Sequence, residues 1–425
     1  MADEPDRGEP PFVETPFLAQ GEAAPAIPAL FTGAFRWLVL AHGFSSFAFF
    51  AYLGAAFAEA TYRFGASSSQ LAVLGASLSV PFIFGALIQG LAVDRWSPKW
   101  LDLFGYAVTL SAIPVAWSAS SIAWLWGSTF LLGAGFGMVE PSRSALTGLL
   151  VDGPRLVTAN GTLATAFQLS LVLGSIGGGW LLNGWGYSAV YAVASGAAVL
   201  PIACLLMVPD VRQGGERPAL TLADLRRGAG AAWSHPQLRI LLLVTALGWT
   251  LINVFFVLEP LFVKGTLRLQ GDALLYLWGA HGLGALAGAI AITRARNTAG
   301  REARLVCLGV VSIGAGILVY TGVGRYTVAL GASAVSGLGF ALLFPPLLAL
   351  IQRVIPEDQR GRVTSVFVSM QESAGLASSI ALLVLGDIVI VRPTLVGSGA
   401  LLAAMGLVGF RAIVRLEAGR ERTSA

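Results

Sequence analysis

The sequence predicts an all-α membrane protein, with twelve transmembrane helices arranged as two six-helix pseudo-repeats. Three observations predict it: apolar runs of spanning length, a scarcity of charge, and an internal match at a fixed offset. Only 12% of the 425 residues are charged and 56% are hydrophobic, against roughly 25% charged in an average soluble domain. A mean hydropathy of +0.75 cannot come from one anchor, because a single spanning helix needs only about 20 apolar residues. An ordinary soluble enzyme is thereby excluded. The 52 glycines and 20 prolines agree, since both are more frequent in transmembrane helices than in soluble ones.

Taken in order, the chain opens on an acidic, proline-rich stretch holding Asp3, Glu4, Asp6, Glu9, Glu14 and Glu22 against Arg7. No basic segment there feeds a short apolar core, so residues 1–33 read as a disordered cytoplasmic tail and not as a secretory signal. Spans are expected at 35–60, 69–93, 100–119, 122–146, 155–182 and 187–208, forming an N-terminal half over 34–208. A polar stretch over 209–237, including Arg212, Gln213, Gly214, Gly215, Glu216 and Arg217, reads as a cytoplasmic linker. Six further spans at 238–262, 272–294, 303–322, 326–353, 362–386 and 393–414 form a C-terminal half over 238–414, and 415–425 is a cytoplasmic tail. Unbroken apolar runs such as Leu238 to Leu247 exclude a β-barrel, whose strands alternate.

Orientation follows from lysine and arginine, which are enriched in cytoplasmic loops. Of the 27 such residues, Arg63, Lys264, Arg268, Arg325 and Arg392 fall in breaks on one side, Arg143 lies within a span, and the other 21 fall on the opposite side. This places both termini in the cytoplasm of a multi-pass protein of the inner membrane. Cys204 and Cys307 sit in apolar runs, so no disulfide framework or thiolate metal site is implied.

The two halves match directly. Gly133, Gly135, Phe136 and Pro141 of the fourth span recur as Gly337, Gly339, Phe340 and Pro345 of the tenth, each 204 residues later. Gly75-Ala76 of the second span recurs as Gly279-Ala280 of the eighth at the same offset. A parallel repeat of six helices joined by a cytoplasmic loop is the organisation of one class of secondary transporter.

The loop after the second span carries Gly90, Asp94, Arg95 and Lys99, in a pattern that resembles the loop signature of the major facilitator superfamily. A glycine permits close packing, and the charged loop can latch to neighbouring helix ends in one conformational state. The corresponding loop of the second half, Thr293-Arg294-Ala295-Arg296-Asn297, keeps the charge without the aspartate. The fifth span resembles the glycine-rich signature of that family's proton-coupled exporters through Gly161, Ser170, Gly174, Ser175 and Gly178, with Ser170 in place of glycine and Ser175 in place of proline. The other reading is a small-residue packing seam made by Gly174 and Gly178. The stretch Pro141 to Leu146, and Gly361-Arg362-Val363 with Pro356 upstream, are similar to the bacterial subgroup that exports macrolides and siderophores. The resemblance covers roughly residues 33–415. It implies the major facilitator fold and efflux of an amphipathic small molecule by alternating access.

Charged side chains in hydrocarbon cost at least roughly 2.5–3.5 kcal/mol on insertion scales, so each is a functional candidate. Glu372, near the middle of the eleventh span, is the first candidate for a proton-coupling carboxyl; the other reading has it satisfied by Ser369 or Ser373. His281, mid-span in the eighth, either shares the proton or is a packing residue. Glu140 and Arg143 stand three residues apart on one helical face, flanking Pro141, and form either a structural ion pair or one that exchanges partners during transport. Gln168, Asn253 and Gln371 lie at comparable depth and are expected to line a central cavity with Glu372 and His281, with Trp249 and Phe344 among its apolar walls. His42, Glu59 and Glu259 lie nearer span ends, and the two glutamates read as interface residues or an extracellular gate.

No Gly-x-x-x-x-Gly-Lys-Ser/Thr loop is present, so ATP does not drive the chain directly. Three histidines in separate segments make no local metal cluster. The expected partners are a small-molecule substrate, a proton or other coupling ion, and the lipid bilayer, with no cofactor, no nucleic acid, and a monomeric state. Uptake or exchange of an organic anion through Arg143 is the alternative within transport; a non-transporting sensor or a membrane-embedded enzyme is the alternative outside it.

Overall fold

The computed structural model describes residues 33–92, 96–151, 155–211, 222–294 and 301–424. Over these residues the chain is helical, without strands. The first half comprises α1 (Phe35–Tyr62), α2 (Ser68–Ala92), α3 (Pro98–Trp117), α4 (Ile122–Leu150), α5 (Leu156–Trp185) and α6 (Tyr187–Leu206). A short α7 (Leu222–Ser234) precedes the second half, which comprises α8 (Pro236–Gly265), α9 (Gly271–Arg294), α10 (Glu302–Val323), α11 (Tyr326–Val354), α12 (Glu357–Leu385) and α13 (Val391–Ser424). Twelve of these, all but α7, are long and apolar enough to cross a bilayer. In lipid every backbone group must bond internally, and a helix does so within one segment.

Two segments differ from expectation. The linker over 209–237 contains α7, a helix too polar to span, packed against α12 and α8; residues 212–221 of the linker lie outside the described residues. The last span does not end at 414. Helix α13 runs on to Ser424, because Glu417 is held by Arg304 Nε at 2.6 Å and faces Gln237 Nε2 at 3.5 Å, which ties the expected tail to α10 and α8. The acidic N-terminal tail, apart from Gly33, also lies outside the described residues.

The repeat seen in the sequence is built into the packing. Any Cβ at Gly133 would overlap the Leu78 carbonyl of α2, and any Cβ at Gly337 would overlap the His281 carbonyl of α9. About half a turn around the same helices, a Cβ at Gly135 would lie 2.6 Å from Gly105 O, and one at Gly339 would lie 2.7 Å from Gly309 O. Thus α2, α3 and α4 cross at contacts that α9, α10 and α11 repeat, and only glycine permits backbones to approach so closely.

Contacts between the halves cluster at the end where α1 finishes, called here the Tyr62 end. Leu275 of α9 seats against Gly54 of α1 and Gly178 of α5. Gly271 meets Ala58 and Tyr62, and Gly386 meets Ser68 and Ser69. Toward the other end each half is tied to itself. In the first half Lys99 Nζ donates to the Leu206 and Val208 carbonyls at 3.2 and 2.5 Å, and Ser97 donates to Asp210. In the second, Arg353 pairs with Glu302 at 3.1 Å.

Candidate functional site

In the first half, Arg143 joins α4 to α1. Its Nη2 donates to Glu140 Oε2 at 2.5 Å, the i, i+3 spacing bringing both to one face. Its Nη1 lies 2.8 Å from His42 Nδ1. Arginine can only donate, so His42 accepts there and carries its proton on Nε2. The imidazole is stacked on Phe167 of α5, with centroids 5.9 Å apart and planes 12° apart. Both ends of the guanidinium are therefore engaged, tying α4 to α1, and α5 joins the cluster through His42. The ion pair expected from sequence is present; the part played by His42 is not visible in sequence, since its partner lies 101 positions away.

Asp102 of α3 is a second residue that sequence reading passed over. It is fully buried, and neither carboxylate oxygen has a hydrogen-bond partner among the described residues. Its signal was an acid inside an apolar run, three residues after Lys99. In the structure Lys99 is directed instead to the end of α6.

The second half presents aromatic surface. His281 packs edge-on against Phe340 at 4.9 Å and Phe256 at 6.2 Å. Trp249 bridges Phe340 and Phe344 at 5.9 and 5.7 Å, and Phe344 continues to Phe367 at 6.1 Å. On the same side, a Cβ at Gly375 would stand 3.1 Å from Asn253 Nδ2 and 3.9 Å from Trp249 Nε1. Gly375 is one helical turn beyond Gln371 and Glu372. Gln371 is buried, whereas Glu372 is half-buried on the flank of α12. The Glu372 carboxyl has no hydrogen bond or ion pair among the described residues, and neither Ser369 nor Ser373 reaches it.

The expected cavity residues thus fall into two groups. Trp249, Asn253, Phe344, Gln371 and Glu372 share the α8, α11 and α12 side, with His281 joined through Phe340. Gln168 stands on α5, one turn before Val172, which meets Gly282 of α9; it has no hydrogen bond among the described residues.

The other motif residues sort by packing. A Cβ at Gly174 would lie 2.7 Å from Phe47 O, and one at Gly178 would lie 2.8 Å from Leu275, so these two glycines seat α5 on α1 and α9. Gly161 is exposed with open space beside it. Ser170 donates to Gly43 O at 2.7 Å. Gly90 lies in α2, while Asp94 and Arg95 lie outside the described residues. Lys99 links α3 to α6 within one half, not across the halves.

The two glutamates near the Tyr62 end differ from each other. Glu59 accepts from Tyr191 Oη at 2.6 Å and pairs with Arg63 at 2.5 Å. Glu259 accepts from Tyr320 Oη at 2.7 Å and Trp278 Nε1 at 2.9 Å, two neutral donors, with no cation paired to it among the described residues. The Trp278 ring in turn meets Phe57 of α1 at 6.3 Å, so this carboxyl sits one side chain behind the seam between the halves.

A family model described as Major Facilitator Superfamily matches residues 38–379. The chain belongs to the Major Facilitator Superfamily. The multidrug efflux pump Tap of Mycobacterium tuberculosis (strain ATCC 25618 / H37Rv) is 24% identical over 336 residues, covering 73% of this chain and 77% of Tap. The lysophospholipid transporter LplT of Salmonella gallinarum is 28% identical over 196 residues, covering 44% of this chain and 46% of LplT, so the chain spans about half of that relative. Among solved structures, a POT family transporter in complex with a thioalcohol-conjugated peptide superposes with a TM-score of 0.69 at 12% identity, covering 88% of this chain and 94% of that one. A bacterial homologue of the human lysosomal transporter Spinster, inward-facing and unoccupied, gives 0.67 at 12% identity, covering 90% and 98%. These two likenesses carry the fold alone. As a major facilitator the protein is a multi-pass membrane transporter and not an enzyme.

Proposed function

We propose that the protein exports amphipathic small molecules across the cytoplasmic membrane in exchange for protons, by rocking its two halves about a midplane site. The observation that carries this reading is Glu372, a membrane-embedded carboxyl without a partner among the described residues, one turn from the Trp249–Asn253 surface. An intramembrane carboxyl is expensive unless it does something. Loaded with a proton, it returns through the hydrocarbon at far lower cost than as a carboxylate; releasing that proton makes room for a polar or cationic part of the substrate. Substrate out and proton in then follow from alternate occupation of one site.

With both termini in the cytoplasm, as the 21 cationic residues on that side favour, the Tyr62 end, where the halves are in contact, faces outward. The substrate class rests on the linked rings of Trp249, Phe340, Phe344 and Phe367, which suit a flat or acyl apolar body. The similarity to Tap supports export. Anion uptake through Arg143 is the weaker reading, because Glu140 and His42 already occupy both ends of that guanidinium.

The test uses purified protein in liposomes with an imposed proton gradient, probed with a lipophilic cationic dye and with a lysophospholipid. Wild-type protein should accumulate a probe only when the gradient is present. Glu372→Gln should abolish the gradient dependence while retaining the elution profile of folded protein. Full gradient-driven transport by Glu372→Gln would overturn the assignment.

A further inference from the structure

A second buried carboxyl bears on the same cycle. Asp102 is 0% exposed, and both its oxygens lie buried without a hydrogen-bond partner. It does not stand alone. Tyr106 and Thr109, one and two turns further along α3, are also buried, and their hydroxyls too have no partner. Positions 102, 106 and 109 follow the i, i+4, i+7 spacing of one helical face. That face is turned to α4: Gly105 packs on Val139 and Met138, and the Thr109 hydroxyl fills the space beside Gly135. Helix α4 runs back along α3, so from the contact of Gly105 with Val139 the chain of α4 leads within one turn to Glu140 and Arg143 as that of α3 leads back to Asp102.

Buried polar groups are almost always bonded, and a run of three that are not requires an explanation. A carboxylate left unpaired in such a place is among the costliest arrangements in a protein, whereas a neutral carboxylic acid, or a carboxylate bound by a guanidinium, is tolerated. The groups facing Asp102 can be named element by element. On α3, Lys99 is held by the Leu206 and Val208 carbonyls, and Tyr106 is neutral. On α4, Arg143 is the cation and Glu140 its present acceptor. On α1, His42 accepts the other end of Arg143; on α6, Cys204 lies near Tyr106. Of these groups Arg143 is the one cation not held by backbone carbonyls, and in this conformation Glu140 has it.

We infer that Asp102 is the alternate partner of Arg143 and a coupling carboxyl of the first half: it holds a proton while Arg143 is bound by Glu140 and His42, and gives that proton up when Arg143 turns to it. The balance is simple. One N–H···O bond to Glu140 is exchanged for one to Asp102, and one proton leaves the Asp102 carboxyl for water on the side where the Glu140 side chain is 36% exposed. This inference rests on the proton-exchange reading above, extending it from one carboxyl to two, one in each half.

The experiment compares wild-type protein with Asp102→Asn and Asp102→Glu in liposomes, measuring probe accumulation against the proton gradient and, separately, gradient-free counterflow of the same dye. Asp102→Asn should lose gradient-driven accumulation by about tenfold or more, within the range of typical coupling between sites, while counterflow persists. Asp102→Glu should keep the coupling with a displaced pH profile. Gradient dependence in Asp102→Asn equal to that of wild type would overturn the inference and leave Glu372 standing; a wild-type protein indifferent to the gradient would overturn both. Where Asp102→Asn does not fold, the infrared band of a neutral carboxylic acid in a Glu372→Gln, Glu259→Gln background decides. The band should be present, and its absence at acid and neutral pH would overturn the inference.

Discussion

Lys264 and Tyr62 clasp the two halves by exchanging bonds: Lys264 Nζ donates to Thr61 O, and Tyr62 Oη donates to Leu269 O, both at 2.7 Å. The ammonium also lies over the Tyr62 ring, 5.4 Å from its centroid. One bond runs from the second half to the first and the other runs back, so the seam cannot part without losing both. At about 1 kcal/mol each, removing both in Lys264→Met, Tyr62→Phe should shift the equilibrium toward opening at this end by on the order of tenfold or more. A cysteine at Leu275, in a chain freed of Cys204 and Cys307, should become correspondingly faster to label with an impermeant thiol reagent. Unchanged labelling would remove the clasp from the account of gating.

Glu259 depends on neutral donors alone. Tyr320→Phe should destabilise the folded protein by about 1–3 kcal/mol, the cost of leaving a buried acceptor short of a bond. Trp278→Phe removes the other donor and also alters the contact with Phe57, so it should both destabilise and loosen the seam. Thermal unfolding in detergent, read beside Leu275 labelling, separates the two effects; identical behaviour of both variants in both assays would show that Trp278 does not link the carboxyl to the seam.

Glycines of similar sequence context should respond oppositely to alanine. Gly337→Ala places a methyl group on the His281 carbonyl, and Gly133→Ala places one on that of Leu78, so both should lower the yield of folded protein sharply. Gly161→Ala meets open space and should be neutral or stabilising by up to about 1 kcal/mol, the helix-propensity difference. Fluorescence-detected size exclusion of the three variants side by side provides the check.

Arg143 is neutralised by Glu140 in this state. Glu140→Gln leaves the hydrogen bond but removes the charge, so the surroundings of Arg143 become more positive, and transport of an anionic amphiphile relative to a neutral one should rise. Raising ionic strength should diminish the difference, because the Glu140 side chain is 36% exposed. A ratio that does not move would show that Arg143 does not select the substrate by its charge.

The twelve spans were legible because a bilayer demands long apolar helices, and the repeat was legible because glycine is required wherever two backbones touch. Contacts that join distant positions were not. His42 reads as a shallow histidine until α4 brings Arg143 to it, and Asp102 draws no notice until its oxygens are found buried against α4. Helix α7 was hidden by Gly228 and Gly230, which suggest a loop when local propensity is weighed without the α12 surface it packs on. The end of α13 was hidden by Arg415, Glu417 and Arg420, which look like a solvated tail until Arg304 is seen to bind Glu417.

The extra length of α13 has a practical side. Its 34 residues span about 50 Å at 1.5 Å per residue, against a hydrocarbon layer of about 30 Å. Since Glu417 bolts the protruding turns to α8 and α10, those turns move as a lever with the second half. A fluorophore on the final turns would report tilt directly, with no tether to blur it, converting an invisible rocking motion into a change of polarisation.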